Sequence, residues 1–184
     1  VYFNRINDLF SIHEIMKLET GFFTRDAVTV ASELLGKTLV RTWEDGTQTR
    51  YTITITEAYM GTEDKACHAS KGRTPRTEIM YANGGYVYVY LIYGMYWMLN
   101  FVAGHVDSPQ AVLICGLDKI KGSGRVGREL RIDKSFYGDN LAESGRIWIE
   151  GGDEVFKIKA EPRVGVAYAG EEWAGKLWRF SLDA

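Results

Sequence analysis

The segment from Tyr86 to Gly104 contains no charged residue, so a chain that carries it must bury it or place it in a membrane. Tyr86, Tyr88, Tyr90, Tyr93 and Tyr96 spread hydroxyls through the segment, whereas the tyrosine belts of a membrane span lie at its ends. The alternation of aromatic and β-branched residues from Tyr86 to Tyr93 reads instead as a strand. Tyr93-Gly94-Met95-Tyr96 supplies a glycine for a reversal, and Trp97 to Val102 returns beside the first strand. A hairpin is expected, with Tyr93, Met95 and Tyr96 at its tip. Aromatic stripes are usually cross-strand packing, but rings at a turn have little core to fill.

A second alternating run, Ile53 to Tyr59, places Ile53, Ile55, Glu57 and Tyr59 on one face and Thr52, Thr54 and Thr56 on the other. Glu57 then continues an apolar stripe. A buried ionised carboxylate needs partners, a proton, or a task that uses its basicity. If the strand ends at Thr56, Glu57 is simply the first solvated residue; the pattern leaves both readings open.

At 184 residues and 46% hydrophobic, the chain suits one domain with a sizeable core. A net charge of -2 gives no global sign of a nucleic-acid binder, although patches matter more than sums. Cys67 and Cys115 have neither the number nor the spacing of a disulfide framework or zinc site, so no metal is implied. Val1 to Arg5 lacks the apolar segment of a secretory signal, and an intracellular protein is expected.

Along the chain, Arg5 to Lys17 allows a short amphipathic helix. Thr24 and Asp26 are candidate caps for a second, with Val28, Ala31, Leu34 and Leu35 facing the core and Gly36 ending it. Thr38 to Trp43 and Gln48 to Ala58 flank Glu44-Asp45-Gly46-Thr47, a hairpin signal. Met60 to Gly85 is a long loop, and its Lys71, Arg73 and Arg76 could meet an anion or lie on a solvated surface. His68 could stack on a base, ligate, or serve a structural role. Ala111 to Leu117 reads as a buried strand. Asp118 to Lys134 is basic, with Arg125, Arg128, Arg131 and Lys134 around Gly122-Ser123-Gly124, suited to phosphate or to a solvated helix face. Short strands are expected at Arg146 to Glu150, Val155 to Ala160 and Arg163 to Ala167, before Glu172-Trp173 and Leu177 to Phe180. No repeat or second domain is visible.

Taken together, Thr56-Glu57-Ala58-Tyr59, Asp64, His68, Arg73-Thr74-Pro75-Arg76 and the run from Tyr88 to Asn100 resemble the alkyladenine (3-methyladenine/N-methylpurine) DNA glycosylase family. The resemblance continues through Ala111-Val112-Leu113-Ile114, Asp133-Lys134-Ser135-Phe136 and Arg163-Val164-Gly165-Val166. It covers the chain from about Gly21, leaving 1–20 as an N-terminal extension or short helix and 21–184 as a single glycosylase domain. The implied fold is α+β: a curved antiparallel β-sheet flanked by helices, with a protruding DNA-intercalating β-hairpin, FMT C-terminal-domain-like.

The resemblance further implies hydrolysis of the N-glycosidic bond of damaged purines in double-stranded DNA, leaving an abasic site without strand cleavage. A base inside a duplex is out of reach, so its nucleotide must be flipped out and the gap filled. Tyr93 is the implied wedge, with Met95 and Tyr96 beside it. Tyr59, His68 and Tyr90 would sandwich the extruded base, with Asn100 on the pocket floor. Glu57 would activate a water, assisted by the main-chain carbonyl of Val164. Arg73, Arg76, Arg125 and Lys134 are candidates for the DNA backbone. No cofactor, metal or membrane enters; a monomer is expected, in the cytoplasm or nucleoid of a prokaryote or the nucleus of a eukaryote. Three positions depart from the family pattern. Cys115 stands where an active-site arginine is usual, Leu117 to Gly124 is short, and Thr77 replaces an asparagine. Without that arginine, the alternative expectation is a damaged-DNA binding module with weak or no catalysis.

Overall fold

A computed structural model describes residues 16–152 and 157–183. The helix expected over Arg5 to Lys17 lies outside the described residues except for its last two positions, as does the start of the strand expected from Val155. Lys17 makes an isolated antiparallel bridge to Glu150, and the Leu18 N–H donates to the Ile149 carbonyl at 2.8 Å.

After α1 (Thr20–Phe23), α2 (Ala27–Glu33) begins at Asp26, whose carboxylate accepts from the Thr29 N–H at 3.0 Å. Thr24, the other cap candidate, instead closes α1. The inward face of α2 is Ala27, Val30, Ala31 and Leu34; Val28 is only partly buried. β1 (Thr38–Thr42) and β2 (Gln48–Tyr59) form the hairpin that Asp45-Gly46 predicts, and Gly46 takes φ +81° in its turn.

The uncharged segment is a hairpin of β3 (Val87–Ile92) and β4 (Tyr96–Ala103), followed by β5 (Gln110–Leu117) and the short β6 (Ile120–Lys121). Then come α3 (Ser123–Glu129), β7 (Ile147–Glu150), β8 (Ile158–Glu161), α4 (Glu171–Ala174) and β9 (Arg179–Leu182). The strands pair antiparallel in the order β3-β4-β5-β2-β1-β7, with β6 on β5 and with β9 joining both β2 and β8. This is a single α+β domain with few helices. Among the described residues no helix is long and apolar enough to cross a membrane. Arg163 to Ala167 is not the expected strand. Gly165 turns the chain at φ +77° and Arg163 is committed to Asp64, so the segment passes into a 3₁₀ turn at Ala167–Ala169. Glu172 and Trp173 lie in α4.

The sheet has two different faces. Val87, Val89, Leu99, Phe101, Val112 and Ile114 pack with α2 and α3 residues into the main core. Tyr88, Tyr90, Met98, Leu113 and Cys115 point the other way, into smaller clusters. β2 changes faces midway. The sequence predicts that Ile53, Ile55, Glu57 and Tyr59 share one face, but Ile53 belongs to the main core while Ile55 packs with Tyr59 and Cys115. The cause is a register irregularity against β5 between Ile53 and Thr56, which flips every later side chain. Thr56 and Ala58 turn to the core, where the Thr56 hydroxyl donates to the Ala31 carbonyl at 2.7 Å. Ile55, Glu57 and Tyr59 turn to the opposite face.

Gly116 sits across from this irregularity, paired with Ile55. A Cβ there would meet Thr54 Oγ1 at 2.7 Å and Ile55 Cγ1 at 2.8 Å, inside normal contact. Gly116→Ala is expected to destabilise the protein by about 1–3 kcal/mol through overpacking. Gly145→Ala, where the added Cβ meets nothing within 4 Å, is the control. Urea denaturation of both variants checks this; equal midpoints would mean that the irregularity tolerates a side chain.

Candidate active site

One row of the sheet gathers the candidate residues. Tyr88 pairs with Asn100, Asn100 with Leu113, Leu113 with Glu57, and Glu57 with Arg179. Directly paired residues project from the same face, so the row sets Asn100 and Glu57 two strands, about 10 Å, apart.

Glu57 is 2% exposed, which settles the question left open by the sequence. Its Oε1 accepts from the Val164 N–H at 3.0 Å and from Arg179 Nη1 at 2.7 Å; its Oε2 accepts from the Tyr59 hydroxyl at 2.9 Å. The carboxylate is therefore both paired with a cation and hydrogen-bonded, as a buried charge requires. With Oε1 holding two donors and Oε2 one, Oε2 keeps capacity to accept from a further molecule. Burial, then the Glu57 charge, pushes the Tyr59 phenol well above its usual pKa, so it stays a donor.

A second buried ion pair holds the segment that delivers Val164. Arg163 Nη1 and Nη2 reach the two Asp64 oxygens at 2.6 and 2.9 Å, with both side chains fully buried. Arg163 also donates to the Ala58 and Trp173 carbonyls at 2.9 and 3.2 Å, and its guanidinium lies 4.7 Å from the Tyr59 ring centroid. Breaking a pair this deeply buried typically costs about 3–5 kcal/mol, because the remaining charge has no solvent. Asp64 also accepts from the Met60 and Ala66 N–H groups, so the loop after β2 is ordered at its root.

Tyr59, His68, Tyr90 and Asn100 line one pocket with Cys67, Met80, Tyr88 and Tyr168. The cavity they enclose is small, about 50 Å³, well below the size of a typical ligand pocket. Asn100 donates Nδ2 to the Tyr88 and Met98 carbonyls at 3.1 and 3.3 Å. Since both partners are acceptors, they fix the amide orientation and leave Oδ1 as its free polar atom. His68 stands 4.6 Å from Tyr90, centroid to centroid, in a T-shaped arrangement. Its Nδ1 is 2.8 Å from the Tyr88 hydroxyl, and its Nε2 faces Arg76 Nη2 at 3.5 Å. Burial, with Arg76 and Lys71 nearby, lowers the His68 pKa to about 4, so the ring is neutral near pH 7.

At the hairpin turn Tyr93 and Gly94 both have positive φ, 51° and 66°, and the Met95 N–H donates to the Ile92 carbonyl at 3.1 Å. Tyr93 is 85% and Met95 64% exposed. Tyr96, grouped with them in the sequence, instead packs with Ile55, Met98 and Cys115 and against Gly124 of α3. Of the backbone candidates, Arg73 is bound to Glu78 at 2.7 Å and Asp107 at 3.3 Å. Arg76 lies over Tyr90, 5.0 Å from its centroid. Arg76, Arg125 and Lys134 are exposed, and none forms an ion pair with a described residue.

Three residues that shape this candidate site carry little mark in the sequence. Arg179 lies between two aromatics in Trp178-Arg179-Phe180, a lone cation in an apolar run that mirrors Glu57. Arg163 stands out only as part of the Arg163-Val164-Gly165-Val166 motif. No pattern marks Tyr168, whose hydroxyl donates to the Ala66 carbonyl at 3.1 Å. Thr77, where an asparagine is usual, is buried and bonds the Thr74 N–H and the Gly72 carbonyl, tying the loop to itself.

The structure thus places a buried acid beside an aromatic pocket, on a sheet whose hairpin carries an exposed aromatic tip. The sequence model of the family described as Methylpurine-DNA glycosylase (MPG) matches residues 21–122 and 115–184, two pieces that overlap from the end of β5 through β6. The chain belongs to this methylpurine-DNA glycosylase family, whose members act in base excision repair of DNA. It is 42% identical over 191 residues to a protein of Natranaerobius thermophilus, covering 91% of this chain and 96% of that one. A Methanocella arvoryzae protein is 41% identical, over 89% of this chain and 90% of its own. One from Legionella pneumophila (strain Lens) is 44% identical, over 90% and 94%. All three carry the name "Putative 3-methyladenine DNA glycosylase".

The neutral His68 makes a pH prediction. With a folded pKa near 4 against an ordinary 6.5, the unfolded chain binds the extra proton between those values. The stability contributed by the neutral ring is thus full above about pH 6.5 and is lost as pH falls toward 4. Thermal melts of the protein and of His68→Gln should therefore draw together over that range; a constant gap would show that His68 titrates normally in the fold.

Proposed function

We propose that this protein is a monofunctional DNA glycosylase that turns damaged purines out of duplex DNA and hydrolyses their N-glycosidic bond with a water activated by Glu57. The observation that carries the reading is the buried Glu57 carboxylate beside a pocket lined by Tyr59, His68, Tyr90 and Asn100, with room at Oε2 for one more donor. That water oxygen bonds the anomeric carbon as the bond to the purine nitrogen breaks, its electron pair leaving with the base. Glu57 takes the water proton and offsets the positive charge developing on the sugar. Val164, already anchored to Glu57 by its N–H, offers its carbonyl as a second acceptor for the water.

The remaining parts follow from position. Tyr93, with Met95 beside it, fills the gap left by the flipped nucleotide, since it is the exposed ring on a strained turn. Tyr59, His68 and Tyr90 stack on the base, and Asn100 meets its edge. The substrate class is alkylated or deaminated purines: 3-methyladenine, 7-methylguanine, hypoxanthine and 1,N6-ethenoadenine. The exposed Arg76, Arg125 and Lys134 face DNA phosphates, whereas Arg73 is already committed to two carboxylates. The protein acts as a monomer wherever the cell keeps its DNA. Penetration of the DNA by the hairpin, and kinship of the sheet with FMT C-terminal-domain-like folds, belong to the same proposal.

Single-turnover excision on duplexes bearing each lesion tests this. The protein should release base and leave alkali-labile abasic sites, and Glu57→Gln should be slower by about 10²–10⁴-fold. Capture of damaged duplex without release of any base would identify a lesion-holding module instead. Tyr93→Ser should weaken capture at least about tenfold while changing stability by no more than about 0.5 kcal/mol, as for an exposed side chain. Equal loss of binding and folding would mean that the ring is structural.

A further inference from the structure

We infer that Arg179, on the C-terminal strand, is the positioning residue that keeps the Glu57 carboxylate correctly aimed, a cation supplied from β9. The inference rests on reading Glu57 as the water-activating acid.

The geometry is specific. β9 pairs with β2 so that Arg179 lies directly across from Glu57, and its Nη1 reaches Oε1 at 2.7 Å. The Val164 N–H occupies the same oxygen, so both fixed donors hold Oε1 and turn Oε2 toward Tyr59. The other charged or titratable groups near the carboxylate cannot serve as its counter-ion. Cys115 on β5 is fully buried, with its thiol pushed well above its usual pKa by burial and by Glu57. The Tyr59 and Tyr90 phenols are likewise raised by burial first. Arg163 is bound bidentately to Asp64. On the far side of β9, Glu161 pairs with Arg179 in register, but its carboxylate is held by Lys159 at 2.7 Å. Among the described residues, Arg179 is the one cation bonded to Glu57. Burial opposes its own charge, and the hydrogen bond to the Glu57 carboxylate helps to offset that, so its pKa lies above the ordinary value. The Arg179 side chain keeps 20% of its exposure while that of Glu57 keeps 2%, so the acid depends on this partner for compensation that solvent cannot give.

A guanidinium that merely glued two strands together would leave the chemistry's pH response alone. One that holds the acid ready would not. The test is single-turnover excision of hypoxanthine from duplex DNA between pH 5 and 9, with binding and melting measured alongside, for the protein, Arg179→Gln and Arg179→Lys. For Arg179→Gln the expected result is a rate lower by about a hundredfold, the scale of a misplaced reacting group. Its acidic limb should move to higher pH than the parent's, because the acid loses an adjacent opposite charge. Duplex binding should stay within about threefold, since affinity comes mainly from phosphate contacts elsewhere. Arg179→Lys should restore the limb and most of the rate. Retention of the parental rate and limb by Arg179→Gln would overturn the inference, as would a lysine variant no better than glutamine. If Arg179→Gln does not fold, Arg179→Lys decides alone: a folded lysine variant as slow as Glu57→Gln counts against it. A parent protein that releases no base from any lesion would instead defeat the reading of Glu57 itself.

Discussion

The site depends on one constraint, a carboxylate held out of water on a row that crosses five strands. Glu57 cannot stand there alone, since an unpaired buried charge costs far more than a domain's net stability allows. Its donors come from three places in the chain: Tyr59 two residues on, Val164 in a loop more than a hundred residues later, and Arg179 on the last strand. The C-terminal strand therefore supplies part of the face that holds Glu57. The Arg163–Asp64 pair serves that arrangement from behind, fastening the Val164 segment to the root of the loop that bears His68. It packs against Tyr59 as well, so the same guanidinium braces the pocket wall and the acid's partner.

Rigid and exposed parts are divided along the hairpin. Near its base Tyr88 and Asn100 are locked by cross-strand pairing and side-chain hydrogen bonds. At its tip Tyr93 takes a left-handed conformation that a bulky residue adopts only at a cost of about 1–3 kcal/mol. The ring that meets no protein atoms worth burying is the one whose backbone is strained, while Tyr96, three residues later, returns to the packed face. Strain confined to an exposed aromatic is intelligible if that ring's partner is another molecule.

The short connection after β5 is accommodated by close packing. Gly127 of α3 lies so near β4 that a Cβ would fall 1.9 Å from the Trp97 carbonyl oxygen, and Gly124 fits against Tyr96. The glycines of this basic segment thus bring a helix against the back of the hairpin, and the helix's arginines remain outside. Cys115 on β5 is buried against the acid as a neutral thiol, and the cation that pairs with the acid stands on the other side of β2, on β9.

Much of this was legible in the residues. The uncharged segment with a central glycine reads as a hairpin because five hydroxyl-bearing rings exclude a membrane span, and Asp45-Gly46 marks the first turn by its need for positive φ. The motifs from Thr56 to Asn100 identify the family, and the residues they nominate for the pocket do line one cavity. Local pattern determined which residues are strand and which are turn, because alternation and glycine preference act over a few neighbours, while the nominees for the pocket came from the resemblance. Only the tertiary structure decided which face Glu57 occupies, since the irregularity opposite Gly116 inverts the alternation without leaving a mark in β2 itself. It alone decided that Arg179 is the counter-ion. A buried charge is neutralised by whatever cation the strand order brings alongside, and strand order is set by packing across the whole chain.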